Sequence, residues 1–489
     1  MSDLKEIATY LGSRGYTIKK ENLDVNEIIL IKEELTVSPF VPKTSLAKPT
    51  PFPIYRESTN KIYLPRFYGL EHYGEPEKIL IAPGKDIDLT FKGKLRDYQK
   101  NIIKTWFHKT RNTGCGLIEA DCGAGKTVIA TDIISKLKKK TLIIVHKDFL
   151  LRQWKERIEQ FLPDAKIGLI QGPTIDIEDK DIVIGMLQSL SMKDYEPAIF
   201  KEFGFTIVDE AHHISAEVFS RVLFKAVTKY MLGLSATMER SDGLTRVFKM
   251  FMGDIAVTWR REAQNNVKVK AIEYISQDEQ HNVVEKNYRG QTDYVKMISK
   301  ISEFSFRTEF ILKVIEDTWK KTQEQQIIVI GHRKNQLAYI HDAIKHRGFA
   351  TVGYYIGGMK EKDLKISEGK NVVIATYKMA EEALDIKSLS TLVMVSPKKD
   401  VRQAVGRILR SNGEKLVIDI IDQHTNFKKH WIDRKRWYNR QEFKIYHTTS
   451  DDYSKNLWKQ IENKKCKAIK VKTEPYENIL MGKCLIARD

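Results

Sequence analysis

Residues Ala120-Asp-Cys-Gly-Ala-Gly-Lys-Thr127 have the composition of a phosphate-binding loop that opens a helix. About eighty residues later, Asp209-Glu210-Ala211-His212 follows the apolar stretch Phe205 to Val208. The pair points to hydrolysis of a nucleoside triphosphate held with magnesium. Glycines at 123 and 125, with Ala124 between them, leave the backbone amides free to turn toward phosphate oxygens, and the helix that starts near Lys126 adds the positive end of its dipole. Lys126 is expected to neutralise the terminal phosphates and Thr127 to offer its hydroxyl to magnesium. Asp209 would hold that ion's hydration shell from a strand end, and Glu210 beside it would polarise the attacking water. Ala120 stands where the strict loop pattern has its first glycine, so the acidic motif is needed to complete the reading.

A second source of charge lies far along the chain, in Gln403-Ala-Val-Gly-Arg407-Ile-Leu-Arg410. Arg407 and Arg410 are three apart, which on a helix places them on one face, able to reach one target. Guanidinium groups stabilise charge on a transferring phosphoryl group. If they come from a different domain than the loop, hydrolysis requires closure.

The elements that must position these groups follow from the hydrophobic pattern. From about Phe91 short apolar runs alternate with helical stretches, the pattern of a parallel sheet wrapped by helices. Strands are expected at Thr141–Val145, Asp181–Gly185, Phe205–Val208 and Tyr230–Leu234, and a second set at Gln326–Ile330, Asn371–Ala375, Thr391–Val395 and Lys415–Ile420. The second set has no phosphate loop. That asymmetry places the nucleotide in the cleft between two similar α/β domains. The expected division is an accessory unit over residues 1–90 with a candidate nucleic-acid surface, a nucleotide-binding domain over 91–262, a linker or short insertion over 263–308, a second domain over 309–450 and a C-terminal extension over 451–489.

Composition bounds the partners. A chain of 489 residues is too long for one core. Its 82 Lys plus Arg against 64 Asp plus Glu leave a net charge of +18, which favours a polyanion, nucleic acid first. Cys115, Cys122, Cys466 and Cys484 form no CxxC pair, which argues against structural zinc and a disulfide framework and for a reducing compartment. No apolar run approaches the length of a membrane span and the start is charged, so a soluble intracellular protein is expected, in host cytoplasm or virion if the source is viral.

Two basic and aromatic stretches have two readings each. Tyr55, Arg56, Tyr63, Arg66, Phe67 and Tyr68 could stack on nucleic acid, but packing at a domain seam is preferred because aromatics bury well; the prolines around them disfavour helix. Asn426 to Lys444 mixes Lys428, Arg434, Lys435 and Arg436 with Trp431, Trp437 and Tyr438. It suits phosphate and base contact, or a helix laying its tryptophans on the second domain.

Over about residues 91–420 the chain resembles the superfamily 2 helicases. Lys94-Leu-Arg-Asp-Tyr-Gln99 resembles that family's adenine-reading segment, and Ala120 to Thr127 its motif I. Motif Ia is matched by Ile144 to Lys147 and on to Trp154, motif Ib by Gly185 to Leu190, motif II by Asp209 to His212 and motif III by Ser235-Ala-Thr237. Motif IV is matched by Ile330-Gly-His-Arg333, motif V by Ile374-Ala-Thr376 through Leu384-Asp-Ile386 and motif VI by Gln403 to Arg410. The resemblance implies two RecA-like parallel-sheet domains in tandem after a small N-terminal domain, ATP and magnesium between them, and a nucleic acid strand across their tops. It adds Arg96, Gln99 and Asp385 to the nucleotide site and Gln403 to the catalytic set. It makes His212, Ser235 and Thr237 the coupling groups, and Gln188, His332, Arg333 and Thr376 strand contacts.

Leu234 to Gly243 and the glutamine that opens motif VI look most like the XPB-type branch, with relatives among poxvirus transcript-release and phage UvsW-type helicases. In motif V, Lys378-Met-Ala-Glu-Glu382 stands where that family often has a glycine-bearing loop. The branch implies a DNA substrate, with RNA as the alternative, and a setting in transcription or repair. A protein-remodelling ATPase on DNA is the third reading.

Overall fold

A computed structural model describes residues 8–39, 50–121, 123–210, 216–238, 243–261, 266–322, 325–382, 384, 386–410 and 413–461. The expectations for His212 and Asp385 lie outside the described residues, as does Cys122 of the loop.

Two eight-stranded sheets dominate. In the first, the strands run in the order Thr174–Asp176, Ile167–Gln171, Ile182–Met186, Thr141–Val145, Phe205–Asp209, Tyr230–Ser235, Cys115–Ala120, Ile255–Trp259. All of its pairings are parallel except the outermost one, between Ile167–Gln171 and Thr174–Asp176. Parallel sheets are covered on both faces, so their strands read as unbroken apolar runs. Thr141–Val145 is buried at every position and sends Ile143 and Val145 to one core, Leu142 and Ile144 to the other.

The second sheet follows the order Val352–Tyr355, Val372–Thr376, Gln326–Gly331, Leu389–Met394, Lys415–Asp422, Val267–Tyr274, Lys444–Thr449, Lys459–Ile461. Its strands Gln326–Gly331 and Lys415–Asp422 likewise divide their side chains between two cores. The stretch 263–308, expected as a linker or short insertion, also supplies an interior strand. Val267–Tyr274 lies parallel between Lys415–Asp422 and Lys444–Thr449. Lys459–Ile461, in the expected extension, closes the same sheet. The rest of 275–304 forms a short helical insertion, ending in the helix Tyr294–Glu303, beside the second sheet.

The N-terminal unit is a small five-stranded sheet with the helices Val25–Glu34 and Arg66–Tyr73. The second helix corrects the expectation that prolines keep this region extended, because Pro65 sits at its N-cap, where a missing amide costs nothing. Gly69 in that helix lies directly against the Tyr16 ring, which leaves no room for a larger residue. The aromatic stretch forms a seam. Tyr63 and Tyr68 are buried in a core continuous with one face of the first large sheet, and Arg66 donates to the Thr113 carbonyl at 2.7 Å and to Cys115 Sγ at 3.0 Å. Among the described residues no helix is long and apolar enough to cross a membrane.

Two buried ion pairs anchor helices to the strand Lys415–Asp422. Arg307 meets Asp422 through two bonds of 2.6 and 2.8 Å, and Arg434 meets Asp419 through two of 2.8 Å, with Tyr438 adding a third bond to Asp419 at 3.1 Å. Arg434, counted from sequence in a basic surface, is thus turned inward from the helix Thr425–Arg440, while Trp431 and Trp437 of that helix pack on the second core. Arg434→Met is expected to lower stability by about 3–5 kcal/mol, because Asp419 keeps its charge and loses its partner. The denaturation midpoint measures this, and an unmoved midpoint would contradict it.

Candidate nucleotide and nucleic-acid sites

The phosphate loop follows the strand Cys115–Ala120 and enters the helix Lys126–Leu137. Gly123 (φ 82°) and Gly125 (φ 77°) both adopt the left-handed conformation that the turn requires. A Cβ on Gly125 would come 2.5 Å from Gln99 Nε2. Gln99 is buried, accepts from the Arg96 amide at 2.9 Å and donates to the Ala124 carbonyl at 3.0 Å, so it fixes the loop from the adenine-reading segment. The Arg96 side chain is exposed and reaches Tyr98 Oη at 3.1 Å.

Asp209 and Glu210 end the neighbouring strand but one, opposite the loop. Asp209 is buried, accepts from Trp154 Nε1 at 2.8 Å and from the Glu210 amide at 3.0 Å. Desolvation, with the adjacent Glu210 charge, pushes its carboxyl up to about 6, against the pull of Lys126 and Trp154. Glu210 has φ 49°, a left-handed backbone that costs a non-glycine residue on the order of 1 kcal/mol. Its carboxylate lies 3.1 Å from Lys126 Nζ. The loop lysine and the acidic motif are therefore already joined.

The two motif VI arginines do not share a helical face. The helix Arg402–Ile408 ends before Arg410. Arg407 donates to the Leu384 carbonyl at 2.9 Å and to the Glu381 carbonyl, at and just beyond the end of the helix Tyr377–Glu382. Arg410 lies across the domain boundary, its Cγ 3.8 Å from the point a Cβ on Gly123 would occupy. Gln403 is half-buried in the same helix. Ser235 and Thr237 form a local turn after their strand, with the Ser235 hydroxyl donating to the Thr237 carbonyl at 2.5 Å and accepting from the Thr237 amide at 3.2 Å.

Elsewhere along the domain boundary is a cleft of about 1010 Å³. His146, Arg152 and Gln188 line it from the first domain, His332, Lys334 and Thr376 from the second. Gln188 donates to the His146 carbonyl at 3.0 Å. Burial, with the nearby Lys398 and Arg333 charges, pulls His332 down to about 4, so it faces the cleft neutral. Arg152 and Glu361 pair across the cleft at 3.2 Å. Arg333 is absent from the cleft lining. It turns to the Val295 carbonyl at 2.9 Å, because the helix Tyr294–Glu303 packs beside it and offers an acceptor that the sequence did not reveal.

Trp154, which ends the motif Ia match, orients Asp209, a task its place in that motif did not announce. Arg261, whose Nη2 stands 2.7 Å from the Gly123 Cβ position, was not anticipated, because a basic pair after an edge strand carries no recognisable spacing. The cleft cations Arg152 and Lys334 were not singled out either, and Lys147 and Lys378 were named only within the motif Ia and motif V stretches.

Residues 92–240 match the family described as Type III restriction enzyme, res subunit. A putative ATP-dependent RNA helicase of Acanthamoeba polyphaga mimivirus is 34% identical over 475 residues, 93% of this chain and 90% of the relative. The DNA 3′-5′ translocase XPB2 of Sulfurisphaera tokodaii is 27% identical over 382 residues, 68% of this chain and 83% of the relative. Saccharomyces cerevisiae Dbp5, solved bound to RNA and ADP BeF3, shares the fold with a TM-score of 0.52 at 13% identity, over 74% of this chain and 92% of that one. Extent and identity together settle the family: the chain belongs to the superfamily 2 helicases, nucleic-acid-dependent ATPases built on two RecA-like α/β domains.

Proposed function

We propose that this chain couples ATP hydrolysis to movement along DNA and to separation or displacement of strands, in transcription, repair or replication. The observation that carries the reading is the shared domain boundary. Gly123 of the phosphate loop and Arg410 meet from opposite domains at one place, and the cleft lined by Lys147 and Arg152 of the first domain and Lys334 and Lys378 of the second opens at another. A change in one gap therefore moves the other. The +18 net charge supplies long-range attraction to a polyanion.

In this reading the loop amides and Lys126 bind the phosphates, and Gln99 holds the loop toward the base. The residues fit the group: two left-handed glycines open the loop, and a lysine and a hydroxyl start the helix. Thr127 and Asp209 would hold magnesium, which supplies positive charge to the phosphates when bound. Lys126 exchanges Glu210 for phosphate, which releases Glu210 to orient and polarise water. Arg410 stabilises the developing charge, and Ser235 and Thr237 exchange hydrogen-bond partners as the domains shift.

Because Asp209 must be ionised for this, the sign of its shift matters. The proton is held below about 6 and released above it. The KM for ATP at fixed magnesium is expected to be flat above that value and to rise by up to about tenfold per pH unit below it. Steady-state kinetics across that range measures it, and a KM that stays flat through the acid side would contradict it.

The name borne by the mimivirus relative favours RNA as a second reading. ATPase rates with duplex DNA, single-stranded DNA and RNA at two salt concentrations separate the two, and the salt slope counts phosphate contacts. DNA is expected to stimulate at least about tenfold more than RNA. Stimulation by RNA alone would replace the DNA reading. Failure to displace a strand from a forked duplex, with stimulation intact, would favour remodelling of protein on DNA.

A further inference from the structure

The strand Ile255–Trp259 closes the first sheet beside Cys115–Ala120, and its end delivers three consecutive side chains to the nucleotide site. Trp259 stacks on Tyr98, with ring centres 4.5 Å apart and planes at 20°, and Tyr98 donates to the Ala124 carbonyl of the loop at 3.3 Å. Arg260 pairs with the buried Glu119 at 2.8 Å, and Glu119 accepts from the Met238 amide at 2.9 Å, next to Thr237. Arg261 is fixed through its own amide to Asp121 Oδ2 at 2.8 Å. Its Nη1 donates to the Leu409 carbonyl of the second domain, and its Nη2 stands over Gly123. One strand end thus touches the adenine-reading segment, the phosphate loop, the turn after Ser235 and the residue that precedes Arg410.

The chemistry of Arg261 distinguishes it from the rest of that set. A guanidinium is always charged and presents a planar fork that can serve a carbonyl and a phosphate oxygen together, or exchange one for the other. The space over Gly123 is filled by this cation and bordered by Arg410. Two guanidiniums are thereby brought to one phosphate-binding loop, where an anionic ligand would meet both.

We propose that Trp259-Arg260-Arg261 is a further part of the nucleotide site, in which Arg261 donates to a phosphate oxygen of the bound nucleoside triphosphate and gives up the Leu409 carbonyl as it does so. This rests on the ATPase reading above. Release of Leu409 frees the segment that carries Arg410, so occupancy of the loop is transmitted to motif VI of the second domain by a residue that lies outside the motifs recognised in the sequence. The relation is one of coupling: a ligand that binds better when the Leu409 contact is exchanged shifts the domain arrangement by that difference.

The test uses the full chain with Arg261→Gln and Arg261→Lys. KM and kcat for ATP are measured at saturating polymer. Polymer affinity is measured with and without a non-hydrolysable triphosphate analogue, and thermal melting is followed throughout. Arg261→Gln is expected to raise KM by about tenfold and to shrink the analogue's effect on polymer affinity to within about twofold, with nucleotide-free polymer affinity unchanged. Arg261→Lys restores KM to within about threefold by supplying charge, but not the coupling, since an ammonium has no second arm placed on the Leu409 carbonyl to be released when phosphate binds. Parent-like KM and coupling in Arg261→Gln would overturn the proposal, as would a loss in KM that lysine fails to restore and that tracks a lowered melting temperature. A parent chain without polymer-stimulated hydrolysis would instead sink the ATPase reading itself.

Discussion

Replacing Arg410 with alanine is expected to lower kcat for polymer-stimulated ATP hydrolysis by about 10³-fold or more while KM for ATP moves little. Arg410 is carried by the second domain in the turn after Ile408, yet its side chain borders Gly123 of the first. A guanidinium delivered this way meets charge that develops only as the phosphoryl group transfers, so its loss falls on the chemical step rather than on binding. Arg407, three residues earlier, is engaged with the carbonyls of Glu381 and Leu384 within its own domain. The effect should therefore centre on Arg410. Steady-state kinetics at saturating polymer measures it, and a kcat within a few-fold of the parent would remove Arg410 from the catalytic set.

Glu210→Gln is expected to bind ATP as well as the parent or better and to turn it over about 10²–10⁴-fold more slowly. The carboxylate has two tasks that the substitution separates. It pairs with Lys126 at 3.1 Å, competing with phosphate for that cation, and it is the base candidate beside Asp209. An amide of the same shape ends the competition and cannot accept the proton of water. Its left-handed backbone is held by the strand end and by its amide bond to Asp209, neither of which the change disturbs. Equilibrium nucleotide binding alongside turnover tests both halves. Undiminished turnover would place the base elsewhere.

What could be read from the sequence was what contiguous residues specify. The strands Thr141–Val145 and Phe205–Asp209 are unbroken apolar runs because helices cover both faces of a parallel sheet, and a run of that kind needs no tertiary information to recognise. The meeting of the glycine loop and the acidic motif, with Lys126 3.1 Å from Glu210, was equally legible, since each is a short contiguous pattern. Val267–Tyr274 was not. It fell inside the stretch 263–308 expected as a linker or short insertion, but Lys268 reaches Glu414 at 3.0 Å and Lys270 lies 5.1 Å from the centre of the Trp458 ring, so its lysine face is met by residues remote in sequence. The opposite face, Val267, Val269 and Ala271, is core.

The same limit explains the site residues that moved. Spacing of three puts Arg407 and Arg410 on one face only if the helix continues, and it stops at Ile408. Arg333 and Arg434 carry the right charge for a nucleic-acid surface, and each is diverted by an acceptor brought up by tertiary packing, the Val295 carbonyl and the Asp419 carboxylate. Arg261 lies outside every motif block. Only the closeness of the first sheet's edge to the phosphate loop gives it a place.

Lys126 is the group on which hydrolysis depends most directly. With saturating polymer, single-turnover hydrolysis by Lys126→Ala is predicted to be indistinguishable from the rate without protein at every ATP concentration, while the melting temperature stays near that of the parent. Hydrolysis by Lys126→Ala at the parent's rate would contradict the account.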